Sequence, residues 1–165
     1  MLQRPAFKTL TLGVGNRLMS DEGIGIHIIE RLSAGYDIDK EVQVLDGGTL
    51  GLDLLYYLEG IENLLLIDAV ETHKPAGAII RLEDEQVPAF MALKISPHQV
   101  GVPDMLAAAK MLDAYPKRLT LWGIQPETLD MGLDLSPLLE EKAPQLLQNV
   151  IEELRGWGHT VSPKT

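Results

Sequence analysis

The stretch Leu12 to Gly25, LGVGNRLMSDEGIG, decides how this chain folds. An apolar strand runs into Gly13 and Gly15, a polar turn follows, and Asp21 and Glu22 stand where a helix begins. Strand, glycine turn and helix N-terminus are the parts of an open α/β site. A phosphate site would not put two negative charges at a helix N-terminus, so these carboxylates ask for a cation or a proton.

Working outward, the pattern recurs. Phe7 to Gly15 reads as a strand, and Ile24, Ile28, Ile29 and Leu32 follow at helical spacing. Glu41 to Asp46 alternates as a second strand before Gly47 and Gly48, and Leu50 to Leu58 is compatible with a helix. Asn63 to Val70 is apolar on both faces until Asp68, as expected of a central parallel strand covered by helices on both sides. Ala78 to Leu82 and Arg118 to Ile124 complete five strands, with helices expected over Asp104 to Tyr115 and Pro137 to Arg155. Glu83 to Val102 reads as a long functional loop and Ser162 to Thr165 as a fraying tail. The expected fold is α/β: three α/β/α layers around a five-stranded, mostly parallel, twisted sheet, in one domain over residues 1–165.

Composition excludes several classes of function. A net charge of −10 opposes nucleic acid and anionic lipid, and the longest strongly apolar run, Leu64 to Ile67, is too short for a membrane span. Cysteine is absent, which removes disulfides, thiolate metal sites and a cysteine nucleophile. The expected compartment is the cytoplasm and the expected state a monomer. Position 18 is Leu18 where a dinucleotide GxGxxG would need glycine, and GxSxG, HExxH and GxxxxGK[ST] do not occur.

Ligands of open α/β sheets sit beyond the carboxyl ends of the parallel strands. There the sequence puts Asn16, Asp21 and Glu22 after the first strand, Asp46 after the second, Asp68 and Glu71 near the end of the third, and His98 in the long loop. Carboxylate oxygen with imidazole nitrogen and no sulfur suits zinc, nickel, iron or manganese, and composition does not choose among them. Each residue also has a structural reading. Asp21 and Glu22 fit helix capping, Asp46 before two glycines is a turn signal, and His98 in SPHQ fits a loop hydrogen bond. Asp68 is different, because a carboxylate ending a buried strand requires a cation, a proton or dedicated donors. His27 sits beside Glu30 and Arg31 on a solvated or partly covered helix face, and His73 and His159 lie in loop-like surroundings.

Four segments in order, GVGNRLMSDEGIG at 13–25, LDGGT at 45–49, LLLIDA at 64–69 and KISPHQ at 94–99, resemble the hydrogenase maturation endopeptidases. KISPHQ is most similar to the subgroup that processes uptake-type nickel-iron hydrogenases. The resemblance implies a metal-dependent endopeptidase that removes a C-terminal extension from the precursor of the hydrogenase large subunit after nickel insertion. It assigns nickel, carried by the substrate, to Glu22, Asp68 and His98. It makes Asp46 and Asn16 substrate-contact or supporting residues. Some members carry aspartate where this chain has Glu22. Two other readings remain open at this stage: a checkpoint that binds nickel-loaded precursor without cutting it, and a nucleotide-binding α/β enzyme.

Overall fold

A computed structural model describes residues 6–48, 51–91 and 101–165. Its main sheet has five strands: β1 (Thr9–Val14), β3 (Val42–Gly48), β4 (Asn63–Ala69), β5 (Ile79–Glu83) and β6 (Arg118–Ile124), in the order β3-β1-β4-β6-β5. All neighbours are parallel except β5, an antiparallel edge strand. The expected α/β fold with a five-stranded, mostly parallel sheet is what the chain adopts.

Side-chain alternation along the central strand builds two cores. Leu65 and Ile67 of β4 point to the layer of α1 (Ile24–Gly35) and α5 (Pro137–Gly156), whereas Leu64 and Leu66 point to α2 (Leu55–Leu58), α3 (Gln86–Met91) and α4 (Val102–Met111). All four are fully buried, which is why this strand shows no polar face. α1 buries the predicted Ile24, Ile28, Ile29 and Leu32.

Three expectations are corrected. The Glu83 to Val102 segment is not wholly irregular: Gln86–Met91 is helical, its apolar Val87 and Met91 burying against the second core. The helix expected over Leu50 to Leu58 is, in its described part, a 3-10 turn over Gly51–Leu54 followed by one turn of α-helix. The tail does not fray, because β7 (Val161–Pro163) pairs antiparallel with β2 (Tyr36–Ile38). Lys164 adds a backbone bond to the Gly35 carbonyl and an ammonium bond to that of Ser33.

His159 fastens this second sheet to the first. Its Nδ1 faces Asp39 Oδ2 at 3.0 Å and its Nε2 faces Thr9 Oγ1 at 2.7 Å, while Asn63 Nδ2 donates to the same hydroxyl. Asp39, Glu41 and His159 are close enough to share an ion. Both Asp39 oxygens, however, already accept backbone amides, from Glu41 and Thr160. The cluster is a structural relay at the sheet edge opposite the strand ends considered next.

Candidate active site

The strand order reverses at β1: its chain successor in the sheet, β3, lies on one side, and β4 on the other. Loops leaving the carboxyl ends of β1 and β4 therefore diverge and leave a crevice, the place where open α/β sheets bind ligands. Asp68 is the penultimate residue of β4, paired with Gly123 of β6, and is 3% exposed. Glu22 lies half-buried in the 3-10 turn Ser20–Gly23 that leads from β1 into α1.

Glycines allow the two to meet. Gly15 has φ +125°; a Cβ there would overlap the Glu22 carbonyl oxygen and lie 3.5 Å from Asp68 Oδ1. The Glu22 backbone and the Asp68 carboxylate thus flank one vacant side-chain position. Gly25 acts similarly, since a Cβ there would collide with the Ile67 carbonyl and stand 2.6 Å from that of Val14. These glycines bring helix backbone against strand ends, which explains glycine at 13–15 without a dinucleotide fingerprint.

The adjacent acids have opposite fates. Asp21 is fully buried, and its carboxylate accepts four hydrogen bonds: Glu127 N at 2.9 Å, Thr128 N at 3.1 Å, Ser136 N at 2.7 Å and Ser136 Oγ at 2.9 Å. Ser136 is the N-cap of α5, its hydroxyl taking the Leu139 amide. Asp21 therefore does not cap its own helix; it clamps a distant loop and the start of α5 to the turn that carries Glu22. Ser136 is absent from any motif around the strand ends, and only the tertiary fold reveals the pairing.

The remaining predicted residues line the same edge. Asn16 is half-buried and its Oδ1 accepts the Leu18 amide, so it shapes the turn after β1. Asp46 is exposed beside Gly13 in register, and its Oδ1 accepts the Gly48 amide. Glu71 accepts from Gln125 Nε2, while Gln125 Oε1 receives the Thr72 amide and hydroxyl. Gln125, just past β6, was legible as a strand-end residue once the Arg118–Ile124 strand was recognised, yet amides carry no charge signal. His98 lies outside the described residues.

His27 braces the opposite side of the turn. It hydrogen-bonds the Leu133 backbone, and its Nε2 is buried. Burial first, then the positive charges of Arg17 and Arg31, hold its pKa below the ordinary 6.5, against the opposing pull of Glu140 and the Leu133 carbonyl. The unfolded chain then binds this proton more tightly than the folded one, so the stability tied to neutral His27 is complete above pH 6.5 and is lost as pH falls through the lower folded value. The His27 contribution to melting temperature is expected to fall as pH drops from 6.5 toward the folded value and to level off below it, a step missing in His27→Gln; parallel thermal melts across pH check this.

The edge sets the buried Asp68 carboxylate, on a rigid strand, beside the backbone of the clamped turn that carries Glu22. Carboxylate oxygen is a donor that suits a borderline divalent ion.

Residues 26–153 match the family model HycI, described as hydrogenase maturation protease. The hydrogenase 2 maturation protease of Escherichia coli K12 is 40% identical over 158 residues, covering 95% of this chain and 96% of that protein. The hydrogenase expression/formation protein HupD of Rhodobacter capsulatus is 41% identical over 163 residues, 96% of this chain and 78% of that one. Among solved structures, the E. coli hydrogenase maturating endopeptidase HybD superposes with a TM-score of 0.91 at 40% identity, over 96% of this chain and 98% of that one. The [NiFe] hydrogenase maturation protease HybD of Thermococcus kodakarensis gives 0.72 at 27% identity, over 90% and 99%. With its fold and nearly its whole length shared with these proteins, the chain belongs to the hydrogenase maturation protease family.

Proposed function

We propose that this chain is the endopeptidase that removes the C-terminal extension of a nickel-iron hydrogenase large-subunit precursor once nickel has been inserted. The observation that carries the reading is that Gly15 brings the backbone of the Glu22 turn against the buried Asp68 carboxylate at the sheet's switch point. Family membership supplies the reaction class, peptide-bond hydrolysis.

Nickel here belongs to the substrate. The chain has no cysteine, so any thiolates around the ion come from the precursor, and this protein adds oxygen and nitrogen donors from Glu22, Asp68 and His98. A divalent ion so held polarises a carbonyl or lowers the pKa of bound water. The residues of this chain dock and orient: Asp68 on β4 provides an anchor whose position cannot relax, Glu22 approaches from the clamped turn, and Asn16 and Asp46 shape the rim on either side. The two carboxylates reward a precursor that carries the cation and leave an empty one without that attraction, so nickel serves as the signal for cleavage.

The test is incubation with nickel-loaded and nickel-free precursor, followed by intact mass. Loss of a C-terminal peptide from the loaded form alone is expected, and the His98→Ala variant is expected not to release it. Binding of the loaded form without any change in mass would replace this reading with a non-cleaving checkpoint.

A further inference from the structure

Four large apolar side chains surround the turn that carries Glu22 without contributing to either core: Leu18, Leu129, Met131 and Leu133, each more than half exposed and Met131 87% so. They occupy two segments joined by backbone. Gly132 N donates to the Leu18 carbonyl and Ser20 N to that of Gly132, both at 2.8 Å, in a parallel bridge between Met19 and Gly132. That register sets Leu18 beside Met131. Ser20, at φ +51°, donates its hydroxyl to the Asp130 carbonyl at 2.6 Å, and Asp21 holds both flanks of the second segment.

These polar contacts tie the segment down, while its large apolar side chains Leu129, Met131 and Leu133 are more than half exposed. A clustered apolar surface on a preorganised support is what a protein partner uses, because the ordering cost has been met before binding. Exposed Glu127, Asp130 and Asp134 interleave with the apolar residues. Leu18 precedes Glu22 by four residues, in the connection that leads from the carboxyl end of β1 to α1.

We infer that the Leu18–Met131 rim is a docking surface for the precursor itself, and that it receives an apolar segment flanked by lysine or arginine close to the bond to be cut. The inference rests on the proposed function for its partner, and it assigns substrate recognition to residues outside the carboxylate site.

The test is the double variant L18S/M131S, with Met131→Ser alone as a milder second. KM for nickel-loaded precursor is expected to rise about tenfold or more with kcat within about twofold, as loss of an interface anchor requires. Melting temperature should stay within about 3 °C of the parent, since neither side chain belongs to the core. Affinity is measured separately in the slow-cleaving Glu22→Gln background, each rim variant being compared with Glu22→Gln alone. An unchanged KM and affinity in both variants overturns the inference, as does a change in sedimentation alone, which would make the rim a contact between copies of this chain. If the parent binds precursor without cutting it and the variants lose that binding, the rim stands and the protease reading falls. If the parent neither binds nor cuts, both fall.

Discussion

Glu22→Gln and Asp68→Asn are each expected to lower precursor cleavage by about 10³-fold, corresponding to about 4 kcal/mol of transition-state stabilisation, with the fold intact. Both substitutions keep side-chain volume and remove only the charge that the proposed function sets against the cation. Glu22 sits on a turn whose position is set by Gly15, Gly25 and Asp21. Asp68 ends a strand paired on both sides along most of its length and packed in two cores, so its backbone is equally secure. Glu22→Asp keeps the charge and moves the oxygens back by one methylene; it is expected to retain most activity. Single-turnover cleavage and a thermal melt on each variant check the prediction. Full activity in either neutral variant would remove that residue from the site, and a collapse in melting temperature would make it structural.

Asp21→Ala, one residue away, is expected to do the opposite first: to unfold the protein more readily. Removing its carboxylate strips the partner from three backbone amides and one hydroxyl, two of these groups belonging to buried Ser136. Each buried donor left unsatisfied costs about 1–3 kcal/mol, so a total of about 3 kcal/mol or more is reasonable even with the more accessible amides turning to water. In a chain of this size that is a fall of about 6–12 °C in melting temperature. Activity should follow stability, with cleavage recovering as temperature is lowered, because Asp21 touches loop and helix rather than the crevice. A variant that melts like the parent but cannot cleave would place Asp21 in the chemistry instead.

These two neighbouring acids show where sequence reasoning reached and where it stopped. The run DE after a glycine turn was legible as a pair of charges near a strand end, and from that alone both fit capping or metal binding. Which one is locked into the scaffold depends on a loop more than a hundred residues further along the chain, since Asp21's partners are Glu127, Thr128 and Ser136. The same separation hid the role of His159. Its ring links Asp39 and Thr9, contacts that no local pattern predicts. The exposed rim was hidden for another reason. Leu18 and Met131 look like ordinary apolar residues until the bridge between Met19 and Gly132 shows that they lie side by side and outside both cores.

By itself the sequence determined the fold class, the central place of Asn63 to Ala69 and the strand-end addresses of Glu22, Asp46 and Asp68. Each follows from local quantities: the period of apolar residues, and the breaks that glycine imposes. Only the tertiary structure decided that β1 is the switch point, that Gly15 lets the Glu22 backbone approach the Asp68 carboxylate, and that Asp21 belongs to the scaffold. Those outcomes depend on strand order and on hydrogen bonds across distant segments, and periodicity along a chain carries no information about which strands become neighbours.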